Sequence, residues 1–131
     1  LVQETCGDLV AFIRSLPFVY ETEHYIFVHA GLDLTLPDWH ETTDYQKVWI
    51  RQPFHETTNQ TGKTIVFGHT PVHYLLDQKI GTKKLWVTED GKIGMDGGAV
   101  YGGVLHGILF DESGMRADVA LLNDGFAAID D

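Results

Sequence analysis

Two short apolar runs end in the same way, and that repetition constrains the chain more than any other feature. Tyr25-Ile26-Phe27-Val28 stops at His29-Ala30-Gly31, and Thr64-Ile65-Val66-Phe67 stops at Gly68-His69-Thr70-Pro71. Four β-branched or aromatic residues bounded by turn residues predict a buried strand. Each strand then delivers a histidine to a sharp glycine-flanked turn. Imidazole held on rigid backbone at the end of a sheet strand is suited to binding a divalent cation, and small neighbours such as Ala30, Gly31 and Gly68 would let a cation and a phosphate approach. One such histidine alone reads more readily as a hydrogen-bonded strand end. Two of them make His29 and His69 candidate metal ligands.

The remaining segments surround these two strands. Val2, Cys6, Leu9, Ile13 and Leu16 recur at three- and four-residue steps before Pro17, predicting an amphipathic helix that ends near Ser15 or Leu16. Residues 32 to 43 are loop-like, and Asp44 is placed to cap a short helix through Val48, Trp49 and Ile50, with Arg51 at its end. Asp90-Gly91 predicts a hairpin between Leu85-Trp86-Val87-Thr88 and Lys92-Ile93-Gly94-Met95. A second hairpin pairs Val104 to Phe110 with Met115 to Leu121. The expected fold class is therefore α+β, layered, β-rich in its carboxyl half and poor in helix. Asp130 and Asp131 read as a solvated acidic end.

Five other histidines, at 24, 40, 55, 73 and 106, carry weaker signals. His69 and His73 have the four-residue spacing of a helical zinc pair, but Pro71 lies between them and no Glu follows His69. His24, His40, His55 and His106 are expected on the surface or in loops. Gly97 to Gly103 lacks the strand-to-helix context of a nucleotide-binding loop and is read as a tight loop beside the site.

Composition narrows the function classes. Nine Lys plus Arg against 19 Asp plus Glu leave a formal charge of -10 over 131 residues, which opposes binding to nucleic acid and to anionic membranes. A single cysteine, Cys6, excludes an internal disulfide and a multi-cysteine metal cluster, and points to a reducing, cytoplasmic setting. No apolar run reaches the roughly 18 residues of a membrane span. The helix-like start at Leu1, without an initiator Met, makes a fragment the expectation.

Four segments occur in one order: Phe27-Val28-His29-Ala30-Gly31, Trp49-Ile50-Arg51, Phe67-Gly68-His69-Thr70-Pro71 and Met95-Asp96-Gly97-Gly98-Ala99-Val100-Tyr101. Together they resemble the carboxyl-terminal half of the phosphoprotein phosphatase family of metallophosphoesterases, closest to bacterial and phage Ser/Thr protein phosphatases. The resemblance covers nearly all of residues 1–131 and implies the carboxyl-terminal part of a calcineurin-like domain, an αββα sandwich. It implies two divalent metal ions, Mn²⁺ first and Fe or Zn as alternatives, bridging a water that attacks phosphorus in line. By that resemblance His29 and His69 ligate a metal, and Arg51 and Tyr101 contact phosphate. Phosphorylated proteins or small phosphoesters are the implied substrates, with no nucleic acid or membrane partner.

The family's amino-terminal motifs, Gly-Asp-x-His-Gly, Gly-Asp-x-x-Asp-Arg-Gly and Gly-Asn-His-Glu, do not occur in this sequence. They supply the remaining ligands and the general acid, so no catalytic acid is assigned here and that group is expected upstream. Activity belongs to a parent carrying both halves, and the 131-residue chain alone is expected to be inactive and to self-associate through surface left uncovered. Diadenosine-tetraphosphate hydrolase of a related family, or a noncatalytic metal-binding or interaction module, are the alternative readings.

Overall fold

The computed structural model describes residues 1–122, so the acidic end at Asp130 and Asp131 lies outside the described residues. Both predicted apolar runs are strands with the expected bounds. The chain runs α1 (Val2–Thr5), α2 (Gly7–Ser15), β1 (Val19–Glu21), β2 (Tyr25–Val28), a 3-10 turn (Trp39–Glu41), α3 (Asp44–Trp49), α4 (Gln52–Glu56) and β3 (Thr64–Phe67). It continues through α5 (Val72–Leu75), β4 (Trp86–Val87), β5 (Lys92–Gly94), β6 (Asp96–Gly97), a 3-10 turn (Ala99–Tyr101), β7 (Val104–Asp111) and β8 (Gly114–Leu122). The class is α+β.

Five strands form a mixed sheet in the order β1-β2-β3-β5-β4, with β2, β3 and β5 parallel and both edge strands antiparallel. Parallel neighbours need crossovers, and the segments 29–63 and 68–91 supply them. Three further strands, β6-β7-β8, form an antiparallel sheet. Both predicted hairpins are present, as β4-β5 and β7-β8.

Strand alternation assigns the two faces of the larger sheet. Ile26, Val28, Ile65 and Phe67 pack with Leu32 and Phe54 into the main core. Residues of opposite phase, Tyr25 and Phe27, meet Phe110 of β7 at ring-centroid distances of 5.0 and 5.8 Å. The Tyr25 hydroxyl donates to the Asp111 carbonyl at 2.7 Å, pinning the two sheets together. This second face is only partly covered. An apolar groove lined by Phe18, Tyr20, Phe27, Val66 and Met95 runs along it and reaches His29.

Three local expectations change. The amino-terminal helix is interrupted at Cys6, whose φ of -130° leaves helical geometry, and neither α1 nor α2 contains a buried residue. Its apolar stripe, including Leu9, Ile13 and Leu16, faces solvent. Thr43, rather than Asp44, caps α3, through a reciprocal capping box with Gln46. Arg51 does not close α3. It is the residue that opens α4. Among the described residues, no helix is long and apolar enough to cross a membrane.

Candidate metal centre

β2 and β3 are adjacent and in parallel register, so the residues that follow them emerge at the same edge of the sheet. The Gly68 N–H donates to the His29 carbonyl at 2.8 Å and fixes the two exits against each other. As a result the His29 and His69 rings lie with centroids 5.1 Å apart, tilted by 58°. His29 is exposed and His69 half-buried.

His69 has a φ of +67°, a left-handed backbone conformation uncommon outside glycine, held where the chain turns sharply into Thr70-Pro71. The Trp49 ring stands edge-on to its imidazole at 5.3 Å. His69 Nε2 is buried and has no hydrogen-bond partner in the described structure. A buried ring nitrogen without a partner is costly, and a cation ligand would satisfy it. Burial pushes the His69 imidazole below its ordinary pKa, and the nearby His29 and Arg51 charges push the same way. Asp96 and a hydrogen bond toward the Trp49 carbonyl oppose them. A neutral imidazole is the form that ligates metal.

Arg51 is exposed and its charge is felt at both His69 and His55. The fold thus brings His29, His69 and Arg51 into one electrostatic neighbourhood. Tyr101 is 73% exposed, on a 3-10 turn bracketed by left-handed Gly98 and Gly102. Among the described residues its hydroxyl makes no hydrogen bond.

Asp96 is the residue that sequence reasoning left out. It follows β5, the third parallel strand, and stands beside the other two exits: a Cβ built on Gly68 would lie 3.7 Å from the Asp96 Cβ. Its Oδ1 accepts the Gly98 N–H at 2.9 Å. The strand-end logic that selected His29 and His69 would have found it, had β5 been read as parallel to β3.

Two of the small neighbours, Ala30 and Gly31, pack against the helices. Ala30 is fully buried and its N–H donates to the Lys47 carbonyl at 2.8 Å, and Gly31 is packed under Phe54. Both tie the turn to the helices. Two of the histidines expected at the surface are also placed otherwise. His55 lies against Phe67 and Trp86, with its Nε2 buried and unpartnered. His106 has no exposed side-chain surface and pairs through Nδ1 with Asp118 at 3.0 Å. Alternation on β7 turns it inward with Val104. His24 and His40 are exposed, as expected.

Two imidazoles are half of a tetrahedral ligand set. Among the described residues no group of three His, Cys, Asp or Glu side chains is arranged to hold a metal ion. The His29–His69 pair and the unpartnered Nε2 fit one edge of such a site. No family model, curated protein or solved structure matches the chain.

Proposed function

We propose that this chain supplies the carboxyl-terminal half of a metal-dependent phosphomonoester hydrolase of the Ser/Thr protein phosphatase type. The observation that carries the reading is the 5.1 Å approach of the His29 and His69 rings at the ends of adjacent parallel strands. In this reading His29 and His69 hold one divalent cation, Mn²⁺ first, and Arg51 grips phosphoryl oxygens through its planar two-point fork. Bound divalent cations would supply Lewis-acid stabilisation and a nucleophilic water at neutral pH. Tyr101, exposed on its glycine-bracketed turn, is the second phosphate contact in this reading. In this reading the ligands that complete the centre, and the general acid, come from an amino-terminal half of the same domain.

The test is Mn²⁺ titration of the 131-residue chain followed by NMR of its histidine rings. Paramagnetic broadening should begin at His29 and His69, and His69→Ala should abolish it at His29. Broadening that spares this pair overturns the reading. The chain alone should leave para-nitrophenyl phosphate intact, because no second cation and no proton donor are held. Turnover that His69→Ala abolishes would show a complete site and defeat the two-half account.

A further inference from the structure

We propose that Lys92 is a positioning residue for Arg51, acting through the short helix that Arg51 opens; the proposal rests on Arg51 as the phosphate ligand. Arg51 takes φ -130° and ψ -110°, outside the favoured backbone regions, so local preference does not fix its place. The flanking helices must do so. On one side α3 is secured by the Thr43–Gln46 capping box. On the other, α4 has only five residues, too few to be stable alone, and its last carbonyls lack helical partners.

Lys92 supplies what α4 lacks. It projects from β5, is 2% exposed, and directs its ammonium at the carbonyls of Phe54, His55 and Thr57 at 3.2, 3.0 and 2.7 Å. Three N–H donors meet three acceptors, which is the full capacity of the group. A cation at a helix carboxyl end also opposes the negative end of the peptide dipoles. The Asp90 carboxylate lies 3.6 Å away, and the Phe54 and Trp86 rings lie 5.6 and 5.9 Å from Nζ. A buried charge survives only with such compensation. At the opposite end of α4 the N–H groups of Phe54 and His55 both donate to the Arg51 carbonyl, at 3.0 and 3.2 Å. One helical turn therefore links the Lys92 ammonium to the Arg51 backbone.

Amide hydrogen exchange and the Arg51 Nε–H resonance test the proposal on the full 131-residue chain. Lys92→Met should accelerate exchange at Phe54, His55 and Thr57 by about tenfold or more while Ile65 and Val66 keep their wild-type rates. It should also shift the Arg51 Nε–H line and weaken that line's response to inorganic phosphate about tenfold. Lys92→Gln keeps two N–H donors on a shorter stem and reads the same probes should Lys92→Met fail to fold, with a smaller acceleration confined to α4. Unchanged exchange in α4, or equal acceleration at Ile65 and Val66, overturns the proposal. If the wild-type Arg51 line ignores phosphate, the phosphate reading of Arg51 fails, whereas the hold of Lys92 on Arg51 is decided by exchange and by the line's position.

Discussion

The Phe54 ring fills the space that a side chain on Gly31 would need, its Cδ1 lying 2.4 Å from where the Cβ would stand. Phe54 is fully buried on α4, and Gly31 follows His29 by two residues. The helix that begins at Arg51 and the turn that carries His29 are therefore packed through one contact. Gly31 also has a φ of +153°, which side chains rarely adopt. Gly31→Ala should destabilise the fold by roughly 2–4 kcal/mol, combining overpacking with backbone strain. Chemical denaturation measures it; a loss below about 0.5 kcal/mol would mean that Phe54 moves aside freely.

Arg51→Ala, in a protein carrying both halves of the proposed hydrolase, should lower turnover and phosphate affinity while leaving metal content nearly unchanged. The guanidinium is assigned to phosphoryl oxygens and not to a cation. A loss of one hydrogen-bonding charge of this kind corresponds to about 10²–10³ in rate. Arg51→Lys should also be impaired, since an ammonium offers no planar fork. Metal analysis beside phosphate inhibition separates the cases: lost metal with unchanged inhibition reverses the assignment.

His55 should make the protein acid-sensitive. Burial, followed by the Lys92 and Arg51 charges, pushes its imidazole down to about 4. The unfolded chain protonates this residue near 6.5 and the folded chain does not, so stability falls as pH drops from about 6.5 to about 4. His69, whose pKa is also lowered, contributes in the same direction. His55→Phe should flatten the stability profile across that window, as read by urea midpoints at pH 7, 6, 5 and 4.5. An unchanged slope would remove His55 as its source.

His40 should act with the opposite sign. Its Nδ1 lies 2.7 Å from Asp38 and its Nε2 2.9 Å from Glu21, which also accepts from Lys63 at 2.7 Å. Two ionised carboxylates accept only, so both ring nitrogens must donate, and that requires imidazolium. These hydrogen bonds, Glu21 first, raise its pKa. The clasp is fully present below the ordinary histidine value and is lost as pH rises through the raised one. Being exposed, it should be worth little at high salt. An NMR titration of His40 checks it, and a midpoint at or below 6.5 contradicts it.

Local pattern makes the two histidine strands legible, because a four-residue β-branched and aromatic run bounded by turn residues favours a buried strand and marks its exit. The Asp90-Gly91 and Asp111-to-Gly114 turns likewise carried both hairpins. Asp96 and Lys92 were missed for a shared reason. Each depends on β5 lying parallel to β3, a pairing between residues about 27 apart for which no turn motif exists. The amphipathic pattern of residues 2–16 specifies helix but neither its break at Cys6 nor its exposure, since periodicity reports a face and not what covers it.

By itself the sequence determined the two histidine strands, the two hairpins and the turns that bound them, because these follow from side-chain pattern and glycine placement within a few residues. Only the tertiary structure decided that β2 and β3 are neighbours, that the centroids of their histidine rings lie 5.1 Å apart, that the Lys92 ammonium reaches the carbonyls of α4, and that Lys92 and His106 are inside. Those outcomes are set by long-range packing: burial and carbonyl satisfaction are properties of the assembled layers, and no window of local sequence contains both partners of such a contact.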